Sequence, residues 1–200
     1  MDFRLFETMR VTEGGEVFLL ERHLDRLRNS AKYFSFEYDS GRLRTAIVES
    51  IALERSPCRL RLTLANDGEF DIEIGPVPAD AFPNLKLSRS RVNSQDPFLY
   101  HKTTNRAIYA EGNAVLINER AEATEISIAN IAVLREGRWI TPPVTCGLLP
   151  GVLRAELLSR GEIEEGVVPA GQLRSGERIR CFNALRGVFD VPLRDDAAGE

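Results

Sequence analysis

Lys102 lies in the run His101-Lys102-Thr103-Thr104-Asn105-Arg106, directly behind Leu99 and Tyr100. Those flanks suggest a partly enclosed amine, and desolvation favours the neutral form of a lysine. A neutral amine can attack a carbonyl carbon or take up a proton. Further runs combine polar and conformationally special residues. They are Leu5-Phe6-Glu7-Thr8-Met9-Arg10, His23-Leu24-Asp25-Arg26-Leu27, Glu125-Ile126-Ser127-Ile128-Ala129-Asn130-Ile131, Thr141-Pro142-Pro143 with Cys146 to Arg154, and Phe182-Asn183-Ala184-Leu185-Arg186-Gly187. Other chemistries lack their parts. The sequence has no Walker loop, no dinucleotide-type glycine fingerprint, no His-Glu zinc helix and no nucleophile elbow. With His23 and His101 as its 2 histidines, it excludes a histidine-rich metal site and leaves a hydrolase without its partner set. Cys58, Cys146 and Cys181 show no paired metal spacing, and an odd number of distant cysteines argues for a reducing compartment.

The elements that must position these runs follow from periodicity. Phe3 to Val11 reads as a strand and Val17 to Leu20 as its return, around a turn at Glu13-Gly14-Gly15-Glu16. Glu21 to Phe34 is predicted helical, with Leu24, Leu27, Ala31 and Phe34 on one face, and Gly41 to Leu53 is predicted as a second helix. Leu60, Leu62 and Leu64 alternate with Arg59, Arg61 and Thr63, and Phe70, Ile72 and Ile74 repeat the pattern after Asn66-Asp67-Gly68, which predicts a hairpin. Gly75-Pro76-Val77-Pro78 is the best linker, so a small N-terminal α/β subdomain over 1–78 and a larger subdomain over 79–200 carrying the lysine are expected. In the latter we expect a short strand at Leu85–Leu87, a helix around Asn105–Leu116 and a hairpin from Ile126 to Ile140 turning at Glu136-Gly137. A helix over Pro150–Leu158, a last strand over Ile179–Phe182 and a frayed tail from Arg194 follow. The class is mixed α/β.

The 200 residues are 43% hydrophobic and 28% charged, the balance of a globular protein rather than a disordered one. A net charge of -4, with Asp25 set inside the Arg22–Arg28 stretch, argues against a nucleic-acid partner. Met1-Asp2-Phe3-Arg4 has no apolar signal core and no run is long enough to span a bilayer, so a cytoplasmic protein without a membrane partner is expected.

Taken in order, the runs resemble the class IV aminotransferases, the pyridoxal-5′-phosphate (PLP) enzymes of fold type IV. The Lys-x-x-Asn-Arg spacing is most similar to the 4-amino-4-deoxychorismate lyases and to the lyase-like domain of fused aminodeoxychorismate synthases. The resemblance extends from about Phe3 to Gly187. It implies a two-subdomain fold like that of D-amino-acid aminotransferase, a small-molecule substrate, no metal, and a homodimer. It also implies that Lys102 is the lysine bonded to PLP and the residue that moves protons. Glu125 matches the carboxylate that keeps the ring nitrogen protonated. Backbone amides of Val152 and Leu153, at a helix start opened by Gly151, match the phosphate site. Arg26, in His-x-x-Arg, matches the phosphate arginine, and Asn183 and Ala184 match a segment reaching the phosphate from the other side. Thr8, Asn105 and Arg106 match positions near the substrate.

Each residue alone has a plainer reading. Lysines are mostly solvated, Arg26 suits an amphipathic helix face, Asn183 and Ala184 suit a strand end, and Tyr109 suits core or a dimer contact. Two departures from the family stand out: the stretch from Lys102 to Glu125 is short, and Ala132 replaces a residue that is usually aromatic. The implied activity is cleavage of 4-amino-4-deoxychorismate to p-aminobenzoate and pyruvate for folate synthesis. The alternatives are a transaminase for D- or branched-chain amino acids, or a degenerate, non-catalytic homologue.

Overall fold

The computed structural model of the protein describes residues 2–52, 54, 56–79 and 83–194. The expectations for Leu53 and for the tail beyond residue 194 fall outside those residues. Contacts divide the chain into two units. The first is Met1–Ala79 with His101–Asn105 and Ala184–Arg186; the second is Asp80–Tyr100, Arg106–Asn183 and Gly187–Glu200. Lys102, expected among the residues after 78, falls in the first unit.

The first unit carries β1 (Leu5–Val11), α1 (Leu20–Phe34), α2 (Ser40–Ile51), β2 (Cys58–Leu64) and β3 (Phe70–Gly75). The strands form one antiparallel sheet in the order β1-β2-β3. Period-two alternation turns Leu60, Leu62 and Leu64 inward. There they pack with Leu5, Met9 and Val11, with Leu24, Leu27 and Ala31 of α1, and with Leu43, Ile47 and Ile51 of α2. Asp39 caps α2, its carboxylate accepting from the Arg42 amide at 3.0 Å. The expected return strand over Val17–Leu20 shrinks to a single bridge between Val11 and Val17. β1 instead pairs with β2 along its whole length, from Leu5 opposite Leu64 to Val11 opposite Cys58. Leu19, at φ 56°, turns the chain into α1, and Leu20 joins the core. The outer edge of β1 is covered by the lysine segment. Phe6 N donates to Lys102 O at 3.0 Å and Thr104 N donates to Arg4 O at 2.9 Å, on either side of a Leu5–Thr103 bridge.

The second unit begins with β4 (Lys86–Val92), which pairs parallel with β5 (Ala114–Asn118). Then come β6 (Glu125–Ile126), β7 (Ala129–Arg135), β8 (Arg138–Thr141), α3 (Val152–Ser159), β9 (Glu164–Glu165), β10 (Arg178–Asn183) and β11 (Gly187–Pro192). The main sheet runs β11-β10-β7-β8-β9, with β6 also on β7. As expected, Glu136 and Gly137 turn β7 into β8; their φ angles of 49° and 79° suit the two-residue turns that match strand twist. Ile131, Val133, Ile179, Cys181 and Leu193 form the core beneath.

Three expectations need correction. The predicted helix over Asn105–Leu116 is a 3-10 turn at Ala107–Tyr109 followed by β5. All five residues of β5 are buried. Such a strand reads as a continuous apolar run, which periodicity cannot separate from a buried helix. The last strand is one arm of a hairpin, β10–β11, closed between Asn183 and Gly187. Pro150 precedes the cap residue Gly151 rather than opening α3 itself.

Candidate functional site

In the first unit, the Lys102 amine lies 4.6 Å from the centre of the Phe6 ring, and the Arg61 guanidinium lies 4.1 Å from the same ring. A cation over an aromatic face is held without the charge being quenched. Phe6 and Thr8 share one face of β1 and Leu5, Glu7 and Met9 the other, because side chains alternate along a strand. Half-buried Thr8 pairs opposite Arg61. Just before the lysine, His101 Nδ1 bonds Ser30 Oγ at 2.9 Å, and its ring packs on Tyr33 and Phe34 at 4.5 and 4.9 Å. Burial lowers the His101 pKa. Backbone bonds to β1 and side-chain packing on α1 thus fix both flanks of Lys102.

Glu7 points from β1 onto α1. Its Oε1 accepts from Arg26 Nε at 2.8 Å, and its Oε2 from Arg26 Nη2 at 2.6 Å and from His23 Nδ1 at 2.7 Å. A carboxylate only accepts, so Nδ1 carries the hydrogen; His23 Nε2 is buried without a partner among the described residues. Burial works against the charge on Glu7. The Arg26 charge, its hydrogen bonds and His23 outweigh burial and hold the carboxyl at about 2. Burial is the main cause lowering the His23 pKa, the Glu7 bond opposing it and the nearby Arg26 and Lys102 charges reinforcing it. The result is a neutral histidine and a bidentate ion pair that fixes the plane of the Arg26 guanidinium.

In the second unit, Glu125 on β6 is 3% exposed and is surrounded by donors. Its Oε1 accepts from the Tyr109 hydroxyl at 2.7 Å and the Leu149 amide at 3.1 Å, and its Oε2 from Asn130 Nδ2 at 3.0 Å. Asn130 Nδ2 also donates to Leu149 O at 2.9 Å, locking the acid to the loop that leads into α3. Hydrogen bonds donated to a carboxylate favour its charged form, against the opposing effect of burial.

Gly151 belongs to this arrangement through space rather than conformation, its φ being -66°. A Cβ there would lie 1.8 Å from Asn130 Oδ1. Gly151→Ala is therefore expected to displace Asn130 and cost about 1–3 kcal/mol of stability, read from urea unfolding. An unchanged midpoint would show that Asn130 yields the space at no cost. Val152 and Leu153 open α3, where first-turn amides have no intrahelical acceptor and the cap residue offers no side-chain bond.

The remaining candidates are placed as follows. Arg106 stacks its guanidinium 4.3 Å over the Tyr109 ring and donates to Ser127 O. Asn105 is exposed, its carbonyl accepting from Thr103 Oγ1 at 3.3 Å. Asn183 Nδ2 donates to Ile128 O at 3.0 Å, and Ala184 is buried. The structure thus gathers Thr8, Arg26 and Lys102 in the first unit, and Arg106, Glu125, Val152, Leu153 and Asn183 in the second; Ala184 and Asn105 fall in the first. Sequence reasoning passed over Glu7 and the Tyr109 hydroxyl. Glu7 had a signal: strand alternation puts it on the apolar face with Leu5, Met9 and Val11, where a charge needs a partner. Tyr109 had none beyond being a tyrosine.

A family model described as amino-transferase class IV matches residues 4–193. A Schizosaccharomyces pombe protein provisionally named aminodeoxychorismate lyase is 33% identical over 207 residues, covering 92% of this chain and 87% of its own. A Mesorhizobium loti crystal structure, provisionally named an amino-acid aminotransferase, superposes with a TM-score of 0.85 at 36% identity, covering 97% of this chain and 100% of the other. The 4-amino-4-deoxychorismate lyase of Pseudomonas aeruginosa shares the fold at a TM-score of 0.75 and 22% identity, over 96% of this chain and 83% of that one.

Proposed function

The chain belongs to the class IV aminotransferase family, and from that premise we propose that it is a PLP-dependent lyase that converts 4-amino-4-deoxychorismate to p-aminobenzoate and pyruvate. The observation that carries the cofactor assignment is the buried Glu125 carboxylate with its three donors. The lyase assignment rests on the S. pombe relative, 33% identical over 92% of this chain.

The donor set fits PLP. A buried carboxylate that accepts from Tyr109, Asn130 and the Leu149 amide suits a pyridine nitrogen that must stay protonated. The uncapped start of α3 at Val152 and Leu153 suits a phosphate. Arg26, oriented by Glu7, adds a cation for it, and Asn183 and Ala184 are assigned to the phosphate's other side. Lys102 supplies the amine. When bound, PLP supplies an aldehyde for amine exchange and a cationic ring that draws electrons from the carbon bearing the amine. Lys102 would hold the cofactor through its amine and, once freed, would take the proton from that carbon. The enolpyruvyl group leaves with the electrons of its C–O bond, and a proton ends on its methylene carbon, giving pyruvate. Aromatisation of the ring makes the step strongly downhill. Thr8, Asn105 and Arg106 are assigned to the substrate, with Arg106 meeting a carboxylate.

Among the described residues no helix is long and apolar enough to cross a membrane. We assign the enzyme to the cytoplasm, as a homodimer acting in folate synthesis.

A second reading is a transaminase, favoured by the M. loti aminotransferase structure at 36% identity. One assay separates the two. Purified protein incubated with 4-amino-4-deoxychorismate should release pyruvate without any added 2-oxo acid. Amino exchange that needs a 2-oxo acid, with no pyruvate formed, would replace the lyase by the transaminase. Mass spectrometry after borohydride reduction should find PLP on Lys102, and an unlabelled protein would refute both.

A further inference from the structure

We propose that Tyr109 is a positioning residue for Glu125, its phenol donating the hydrogen bond that keeps the carboxylate aimed and ionised. The inference rests on the functional reading above, in which Glu125 meets the ring nitrogen of PLP.

The short stretch after Lys102 contains a single 3-10 turn, Ala107–Tyr109, in place of a helix. That turn delivers the Tyr109 hydroxyl to within 2.7 Å of Glu125 Oε1. The rest of the structure holds the tyrosine there. Arg106 lies 4.3 Å over its ring and donates to Ser127 O, in the turn between β6 and β7. Ser127 Oγ in turn donates to Gly112 O at 2.7 Å, and Gly112 N to Tyr109 O at 3.0 Å, so the segment closes on itself around the phenol. Burial, then the neighbouring Glu125 charge, raise the Tyr109 pKa well above 10. The phenol is a permanent donor.

The charged groups facing this pair are Arg106, whose charge acts to lower the Tyr109 pKa, and Asp96, whose charge acts to raise it. Asn130 and the Leu149 amide are the other donors to Glu125. Removing the phenol hydroxyl takes one donor from the carboxylate against unchanged burial. The carboxylate then accepts a proton more readily as pH falls, and a neutral acid cannot hold a cationic ring.

The test compares wild type, Tyr109→Phe, Glu125→Gln and the double variant, each reconstituted with PLP. Retention of PLP and its visible absorbance are followed against pH. Tyr109→Phe should still be labelled at Lys102 after borohydride reduction, but its retention should be lost at higher pH, the acid limb moving up by about one unit. PLP should also dissociate several-fold faster. In the Glu125→Gln background, Tyr109→Phe should change neither quantity. Arg106→Met, which loosens the stack but keeps the hydroxyl, should move the limb the same way by less, and it serves if Tyr109→Phe does not fold. A Tyr109→Phe profile that coincides with wild type overturns the inference alone, as does an equal shift with and without Glu125. A wild type that takes up no PLP overturns the functional reading and the inference with it.

Discussion

Lys102→Ala is expected to cut turnover of 4-amino-4-deoxychorismate by about a thousandfold or more, the range lost with a proton-transferring group. The proposed function gives the residue two roles: to hold PLP by its amine, and to move the proton once the substrate has taken its place. The loss should therefore appear in kcat as much as in kcat/KM, because the proton transfer is made only in the transition state. Fold should survive. The amine makes its ring contact with Phe6 from the side chain, whereas Lys102 is tied to β1 through its carbonyl, which alanine keeps. PLP should still associate through its phosphate, and borohydride should no longer fix it to the protein. Small primary amines added to Lys102→Ala should restore part of the rate by supplying the missing base from solution. Turnover within tenfold of wild type would remove Lys102 from the reaction.

Glu7→Ala should have the largest effect on stability, about 3–5 kcal/mol at neutral pH, because it removes the buried carboxylate that pairs with the partly buried Arg26 guanidinium. Glu7→Gln keeps the shape and loses the charge, so it should fall between that variant and wild type. The pH dependence identifies the cause. The Glu7 carboxyl sits at about 2 in the folded protein against 4.5 ordinarily, so its contribution is present above about 4.5 and is lost as pH falls towards 2. The unfolding free energies of wild type and Glu7→Gln, followed by urea titration at several pH values, should differ by a constant amount above 4.5. They should converge as pH falls towards 2. A difference that persists undiminished at pH 2 would assign the effect to packing. Glu7→Gln should also weaken PLP retention, since Arg26 would no longer be held in one plane; that consequence depends on the functional reading, whereas the stability effect does not.

Much of this was legible from residue order. The alternation in β2, the apolar stripe of α1, the Glu136-Gly137 turn and the family resemblance all rest on local patterns that tertiary contacts left intact. Burial obscured the rest. Every position of β5 is buried, so its strand period vanished and it resembled a helix. Val17 to Leu20 had strand character, yet longer pairing with β2 claimed β1. The role residues were visible as types, but their partners were not: no local rule links Glu7 to an arginine 19 residues on, or Glu125 to a tyrosine 16 residues back.

The segment that carries Lys102 also seals an open strand edge. Until residues 102–104 have left the ribosome, β1 can gain β2 on one side but has nothing for the backbone groups of Arg4 and Phe6 on the other. A nascent or truncated chain ending before that point exposes an unsatisfied β-edge, a template for aggregation. Synthesis of Lys102 and protection of the N-terminal sheet are thus completed together.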